Sequence, residues 1–419
     1  DAWRRIKRNI VCIDALRLVS RQVQLELHPD ASQVAMLKDV FPTIGNRGFD
    51  HLVMNPPYAA VVLDNNLRSL WHSFGSIQPN QAGDAHLAFT EMLWHLVSDA
   101  GAAAAVLPIS VGANTTKSYS RLREELLRSP GVKEFLFFDR EPQALFGEDI
   151  KTRNVIVFRR NSVDGNDYIR TSRLLKWTAE QRPFIFNRNR LAKIALTHCQ
   201  IFIPKLGSDV ESDAYAALRH PKISSAAANF MPKMGRMSFD DVLNANAEIQ
   251  HRTVLVSGTA YNFVNCFFGE ALPQKTPYPY SNSPLNTLMF NCEEDAFAAF
   301  ALLSTRLCFW FWHVEGDGFH VTNTFLKRLP LWAGFASTTT RKTLAKYGLD
   351  LWNATRTSVV ASVNGGKQTY SFHCGHEHST LKKIEAEVVS ALGLEKEFTQ
   401  FLDEFLEAVV SVDGKRRTR

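Results

Sequence analysis

The chain has 419 residues, more than one hydrophobic core usually holds, so two or three domains are expected. Hydrophobic residues make up 45% and charged residues 21%, which excludes a wholly disordered chain. The 48 Lys and Arg against 42 Asp and Glu leave a net charge of +6, which suits a polyanionic partner. Six scattered cysteines without repeated spacing speak against a disulfide framework and for a reducing, cytoplasmic setting.

Along the first 160 residues, short apolar runs alternate with helical patterns. Residues 9–13 form an apolar run ending at Asp14, and a helical pattern with Leu16, Val19, Val23, Leu25 and Leu27 follows. A second run, 34–37, ends near Asp39. Phe49–Met54 reads as a strand that stops at two prolines, which cannot continue a ladder. A helix carrying Leu87, Phe89, Met92, Leu93 and Leu96 comes next. Beyond it a strand at 102–107, a helix at 119–128 and strands at 132–138 and 154–158 are predicted. The alternation over 1–165 predicts an α/β domain with a largely parallel, Rossmann-like sheet. Ligands of such sheets bind beyond the carboxyl ends of the strands, where Asp14, Asp39 and Asn55 fall.

Residues 166–200 shift in composition: seven Lys or Arg lie between 170 and 193 against Glu180 alone. That stretch reads as a solvated basic connector or as a surface that meets phosphate. From 201 to 335 the βα alternation is lost and an irregular α+β region is expected. The Thr- and Lys-rich stretch 333–347 reads as a connector into a C-terminal helical segment, 336–419, whose helical tail is expected at 381–410. The apolar stretches 100–109 and 296–312 are too short for a bilayer, so no membrane span is expected.

Asn55, Pro56, Pro57 and Tyr58 directly follow a strand, and this is where the chemistry concentrates. An exocyclic amino group on an aromatic base is a poor nucleophile because its lone pair is delocalised. Two acceptors, the Asn55 side-chain oxygen and the Pro56 carbonyl, can draw its hydrogens out of plane and localise that pair. The prolines hold the acceptors in place, and Tyr58 offers a flat face for a planar substrate. No metal is required.

On this tetrapeptide the first 160 residues resemble the adenine-N6 DNA methyltransferases, especially the large enzymes of bacterial restriction–modification and defence systems. Residues 84–89, 101–108 and 151–158 match the segments that follow the tetrapeptide in that family. The resemblance implies S-adenosylmethionine as cofactor, with Asp14 near its ribose and Asp39 near its adenine, and a flipped adenine as methyl acceptor. One departure stands out: the family's Gly-rich cofactor loop should precede Asp14 by some twenty residues, and none of the thirteen residues before Asp14 is Gly. The expectation is that this N-terminal portion is missing from the chain, or that a partner supplies it.

The region 201–335 resembles, less specifically, a target-recognition domain of those enzymes. The aromatics at 309–312 are expected in its core, with His320, Thr322, Asn323, Lys327 and Arg328 as candidates to meet DNA. Duplex DNA is the expected partner, with a nuclease or other defence subunit beside it. The His373, Cys374, His376 and His378 cluster has no second ligand pair, so no structural zinc is expected. Two alternatives stay open: a non-catalytic DNA-recognition subunit on a vestigial methyltransferase fold, and an RNA adenine methyltransferase.

Overall fold

A computed structural model describes residues 14–19, 35–45, 47–146, 152–160, 167–186, 191–376 and 378–414. Contacts divide the chain into two compact units, Asp1–Gly207 and Ser208–Arg419.

The first unit is built on a six-stranded sheet: β1 (Phe49–Met54), β2 (Val97–Pro108), β3 (Val132–Phe138), β4 (Asn154–Arg160), β5 (Tyr168–Leu175) and β6 (Ala192–Ile194), in spatial order β6-β5-β3-β4-β2-β1. β3 and β4 contain unbroken apolar runs, residues 135–138 and 155–158, because both of their faces are covered there. Helix α1 (Ala85–His95) packs against β2 and is buried along almost its whole length. Helix α2 (Lys117–Arg128) is amphipathic, hiding Tyr119, Leu122 and Leu126.

The sheet is mixed rather than largely parallel. β1–β2 and β3–β5 pair parallel, whereas β2–β4, β3–β4 and β5–β6 pair antiparallel. β4 causes most of the difference. It follows β3 without a crossover helix among the described residues, so it returns antiparallel and inserts between β3 and β2. The stretch expected as a connector also differs: β5 and β6 lie inside 166–200 and extend the sheet. Ile169, Thr171 and Ser172 are fully buried there, so this part of the basic stretch belongs to the sheet and not to a solvated connector.

Near the start of the chain, Leu18–Val19 and Ala35–Met36 form a short parallel pair, and the helix Leu37–Val40 follows the second strand. Only the beginning of the helical pattern expected from Leu16 is described, as a 3-10 turn at Ala15–Arg17 that runs into the strand. The apolar run 9–13 lies outside the described residues.

The second unit combines an antiparallel sheet of β7 (Lys233–Met237), β8 (Thr253–Val256), β9 (Cys266–Phe268) and β10 (Leu285–Met289), ordered β7-β10-β8-β9, with a helical layer. Its helices include α3 (Asp209–Leu218), α4 (Glu293–Ser304), α5 (Arg306–Glu315), α6 (Thr338–Thr355), α7 (Ser379–Ala391) and α8 (Lys396–Gly414). Phe309, Trp310, Phe311 and Trp312 are buried in α5, as expected. The presumed connector 333–347 instead runs into α6. Ser337 caps it by accepting from the Thr340 N–H, and Leu344, Leu351 and Trp352 bury one face. Residues beyond 335 also join the unit's core: Asn265 donates to the Tyr370 carbonyl and accepts from the Phe372 N–H. Among the described residues no single helix is long and apolar enough to cross a membrane; α4 and α5 pass that test only as a pair bent by 63°.

Candidate methyl-acceptor site

β1 ends at Met54, and Asn55 to Tyr58 carry the chain off the sheet with Pro56 buried and Asn55 exposed. Ala60–Val62 then pairs antiparallel with Ala82–Asp84. That hairpin brings the chain back to its own start, where the Ala85 N–H donates to the Ala59 carbonyl at 3.0 Å. Asp84 and His86, near in space and distant in sequence, thereby arrive beside Tyr58.

Two contacts fix the Tyr58 ring. Asn154, at the first position of β4, donates its Nδ2–H to Tyr58 Oη at 3.0 Å. His86 stands edge-on to the ring at 6.2 Å and 75°. Asn154 is 1% exposed and pairs in register with Pro108 of β2 and Phe138 of β3, so the sheet itself places the donor. Burial raises the Tyr58 phenol above its ordinary value, and the hydrogen bond from Asn154 offsets part of that rise. The ring is therefore neutral at physiological pH.

Behind His86 lies a polar network. Tyr119 Oη donates to Asp84 Oδ2 at 2.8 Å and lies 2.9 Å from His86 Nε2 and 3.1 Å from Ser110 Oγ. With Asp84 ionised it takes the single Tyr119 proton, which leaves His86 Nε2 and Ser110 Oγ to donate. Burial, with the Asp84 carboxylate adding to it, pushes the Tyr119 phenol up. His86 is held below the usual imidazole range by burial, with Asp84 opposing, and its buried Nδ1 has no hydrogen-bond partner among the described residues.

The other sequence-derived candidates are placed as follows. Asp14 is exposed, accepts from the Leu16 N–H at 3.1 Å and pairs with Arg17 at 3.3 Å; Arg17 bridges on to Asp64 at 2.6 Å. Asp39 is exposed on the one-turn helix after Met36. Neither hydrogen-bonds to Asn55–Tyr58. In the second unit His320 is exposed with Nδ1 2.6 Å from Asp317, and Thr322 caps the helix Asn323–Lys327. Asn323 Nδ2 donates to the Gly235 carbonyl at 3.2 Å, and Lys327 is exposed. Burial lowers Arg328, which is partly enclosed. Thus His320, Thr322 and Lys327 face solvent, while Asn323 and Arg328 are engaged with the protein. The His373 ring stacks on Phe263 at 4.2 Å, and His376 Nε2 is 3.0 Å from the Asn262 carbonyl.

Asn154, His86 and Tyr119 had no assigned roles from sequence. Asn154 lies 96 positions from Tyr58, and no local pattern announces such a pair. Asp14 and Asp39 are exposed carboxylates that can accept from hydroxyl and amine donors.

None of the curated protein sequences matches the chain. Among solved structures, the Type IIL restriction-modification enzyme MmeI in complex with DNA is 13% identical, with a TM-score of 0.45, over 96% of this chain and 60% of its own. The DrdV–DNA complex is 11% identical, with a TM-score of 0.36, over 95% and 60% respectively. The type IIG restriction endonuclease BpuSI is 11% identical, with a TM-score of 0.29, over 86% and 54%. The chain therefore spans about half to three fifths of the length of these proteins. Over residues 4–146 it matches the family described as Eco57I restriction-modification methylase, and in that part it is similar to those methylases.

Proposed function

We propose that this chain works as a site-specific DNA methyltransferase that moves a methyl group from S-adenosylmethionine to N6 of an adenine flipped out of duplex DNA. The observation that carries the reading is the Asn55–Tyr58 turn at the carboxyl end of β1, with the Tyr58 ring held by Asn154 and His86. Asn55 Oδ1 and the Pro56 carbonyl accept the two N6 hydrogens, and Pro57 keeps them aimed. Tyr58 stacks on the base. The cofactor, when bound, supplies an electrophilic methyl group; Asp14 and Asp39 are the residues proposed to hold its ribose and adenine. His320, Thr322, Asn323, Lys327 and Arg328 are proposed as DNA contacts, with His320, Thr322 and Lys327 the exposed ones. A nuclease or other defence subunit is proposed as partner of the whole protein.

Asn55→Ala removes one acceptor that matters most as the nitrogen becomes tetrahedral. It should lower methylation of duplex DNA by at least ~10²-fold with DNA affinity largely retained. Wild-type methylation by that variant would overturn the assignment. A second reading is a non-catalytic DNA-recognition subunit with a vestigial methyltransferase fold. Calorimetric titration of S-adenosylmethionine separates the two: binding supports the enzyme, and sequence-specific DNA binding without it supports the subunit. Parallel assays on RNA test the remaining substrate class.

A further inference from the structure

The segment that leaves β5 has no part in the chemistry above, yet it emerges at the same end of the sheet. β1, β2, β3 and β5 run in one direction and β4 in the other, so the ends of β1, β3 and β5 and the start of β4 share one edge. Phe138 is the register partner of both Asn154 and Leu175, which places the exit from β5 two strands away from the donor that holds Tyr58.

This segment is firmly anchored. Trp177 and Ile185 are buried with Leu136, Phe138, Leu145 and Ile156, and the Thr178 N–H donates to Gln181 Oε1 at 3.2 Å. With Ile185 held inward, its two neighbours turn outward: Phe184 is 57% and Phe186 56% exposed. Among the described residues Phe186 makes an edge-on contact with Phe138, at 6.3 Å. The exposed Arg182 places its guanidinium 5.3 Å from the Trp177 ring centroid. A pair of exposed phenylalanines on an anchored loop is costly unless something covers it. The described charges nearest them in the chain say what: Arg182 is exposed and Lys176 partly exposed, against Glu180 alone. Flat apolar faces beside an exposed guanidinium match a polyanion that carries flat apolar faces of its own, namely a nucleic-acid strand with unstacked bases.

We propose that Phe184 and Phe186, flanked by Arg182, form a nucleic-acid contact that stacks on unpaired bases beside the methyl-acceptor site. The proposal rests on the methyltransferase reading for its choice of substrate, but not for its test. Binding of a labelled single strand, and of a duplex with a central mismatch, is followed by fluorescence anisotropy without cofactor. Phe184→Ala/Phe186→Ala should weaken both by roughly 5- to 100-fold, since stacking on one aromatic ring accounts for about that much. Phe184→Trp/Phe186→Trp should bind at least as well as wild type. Arg182→Gln should reduce the dependence of log affinity on log salt by about one unit, which the Phe changes should leave alone.

Unchanged affinity in the Ala pair, with an unaltered thermal melt, overturns the proposal. So does wild-type affinity in Phe184→Leu/Phe186→Leu, because leucine keeps apolar area without a stacking face, and stacking is then not what holds the strand. The two readings fail separately. A wild-type protein that binds strands through these rings yet never transfers a methyl group refutes the enzyme and leaves the contact standing. Methylation with an Ala pair that binds normally does the reverse.

Discussion

Tyr58 shows how much a single ring depends on residues remote in sequence. The phenol of Tyr58 accepts from Asn154, while His86 braces its edge through a network that ends on Asp84. Asn154→Ala should free the ring and cost ~1 kcal/mol of stability, the worth of one buried hydrogen bond. On the proposed chemistry it should also lower kcat with little change in DNA affinity. Tyr58→Phe deletes the same bond from the other side, so the double variant should be no worse than the worse single; additive losses would show that Asn154 acts elsewhere. His86 has a pH signature. Its folded pKa is depressed by burial below the ordinary 6.5, so the neutral ring contributes fully above that value. Stability is then lost as pH falls below 6.5 towards the folded pKa. His86→Gln should flatten that limb of a denaturation-versus-pH curve, and an unchanged limb would place the titration on another group.

Among elements, the helices of the second unit depend on one close approach and one buried ion cluster. At Gly348 on α6, an added Cβ would lie 2.0 Å from the Phe297 carbonyl oxygen of α4. Gly348→Ala must push the two helices apart and should cost ~1–3 kcal/mol, read from chemical denaturation. Arg306 at the start of α5 pairs with Glu385 of α7 at 2.6 Å and with Asp403 of α8, its own side chain only 3% exposed. Glu385→Ala leaves that guanidinium buried with a poorer partner and should cost ~3–5 kcal/mol, whereas Asp403→Ala, at the exposed end, should cost less. Helices α1 and α2, and strands β3 and β4, were legible within a few residues because their apolar spacing is strong. The helix α6 was not, since its Thr- and Lys-rich first turns hide an apolar face that begins only at Leu344.

For the whole molecule, two units with separate cores should unfold in more than one step. A calorimetric enthalpy well above the van't Hoff value would bear that out, and equality of the two would mean that the units melt together. The boundary after Gly207 was not legible. Composition marked a basic connector at 166–200, but β5 and β6 belong to the sheet, and the charges of Arg170, Arg173 and Lys193 do not reveal that their strand neighbours are buried.

By itself the sequence determined where β1 stops: two prolines end it wherever it lies, and they leave Asn55 and Tyr58 just beyond its carboxyl end. Only the tertiary structure decided the direction of β4, and with it the placement of Asn154 against Tyr58. Strand direction depends on how a connection crosses the sheet, and the pairing joins residues 96 positions apart. The tertiary structure likewise decided which of the expected DNA contacts face solvent. Exposure is a property of packing, and the same residue types read alike along the chain whether they cap a helix, like Thr322, or lie partly enclosed, like Arg328.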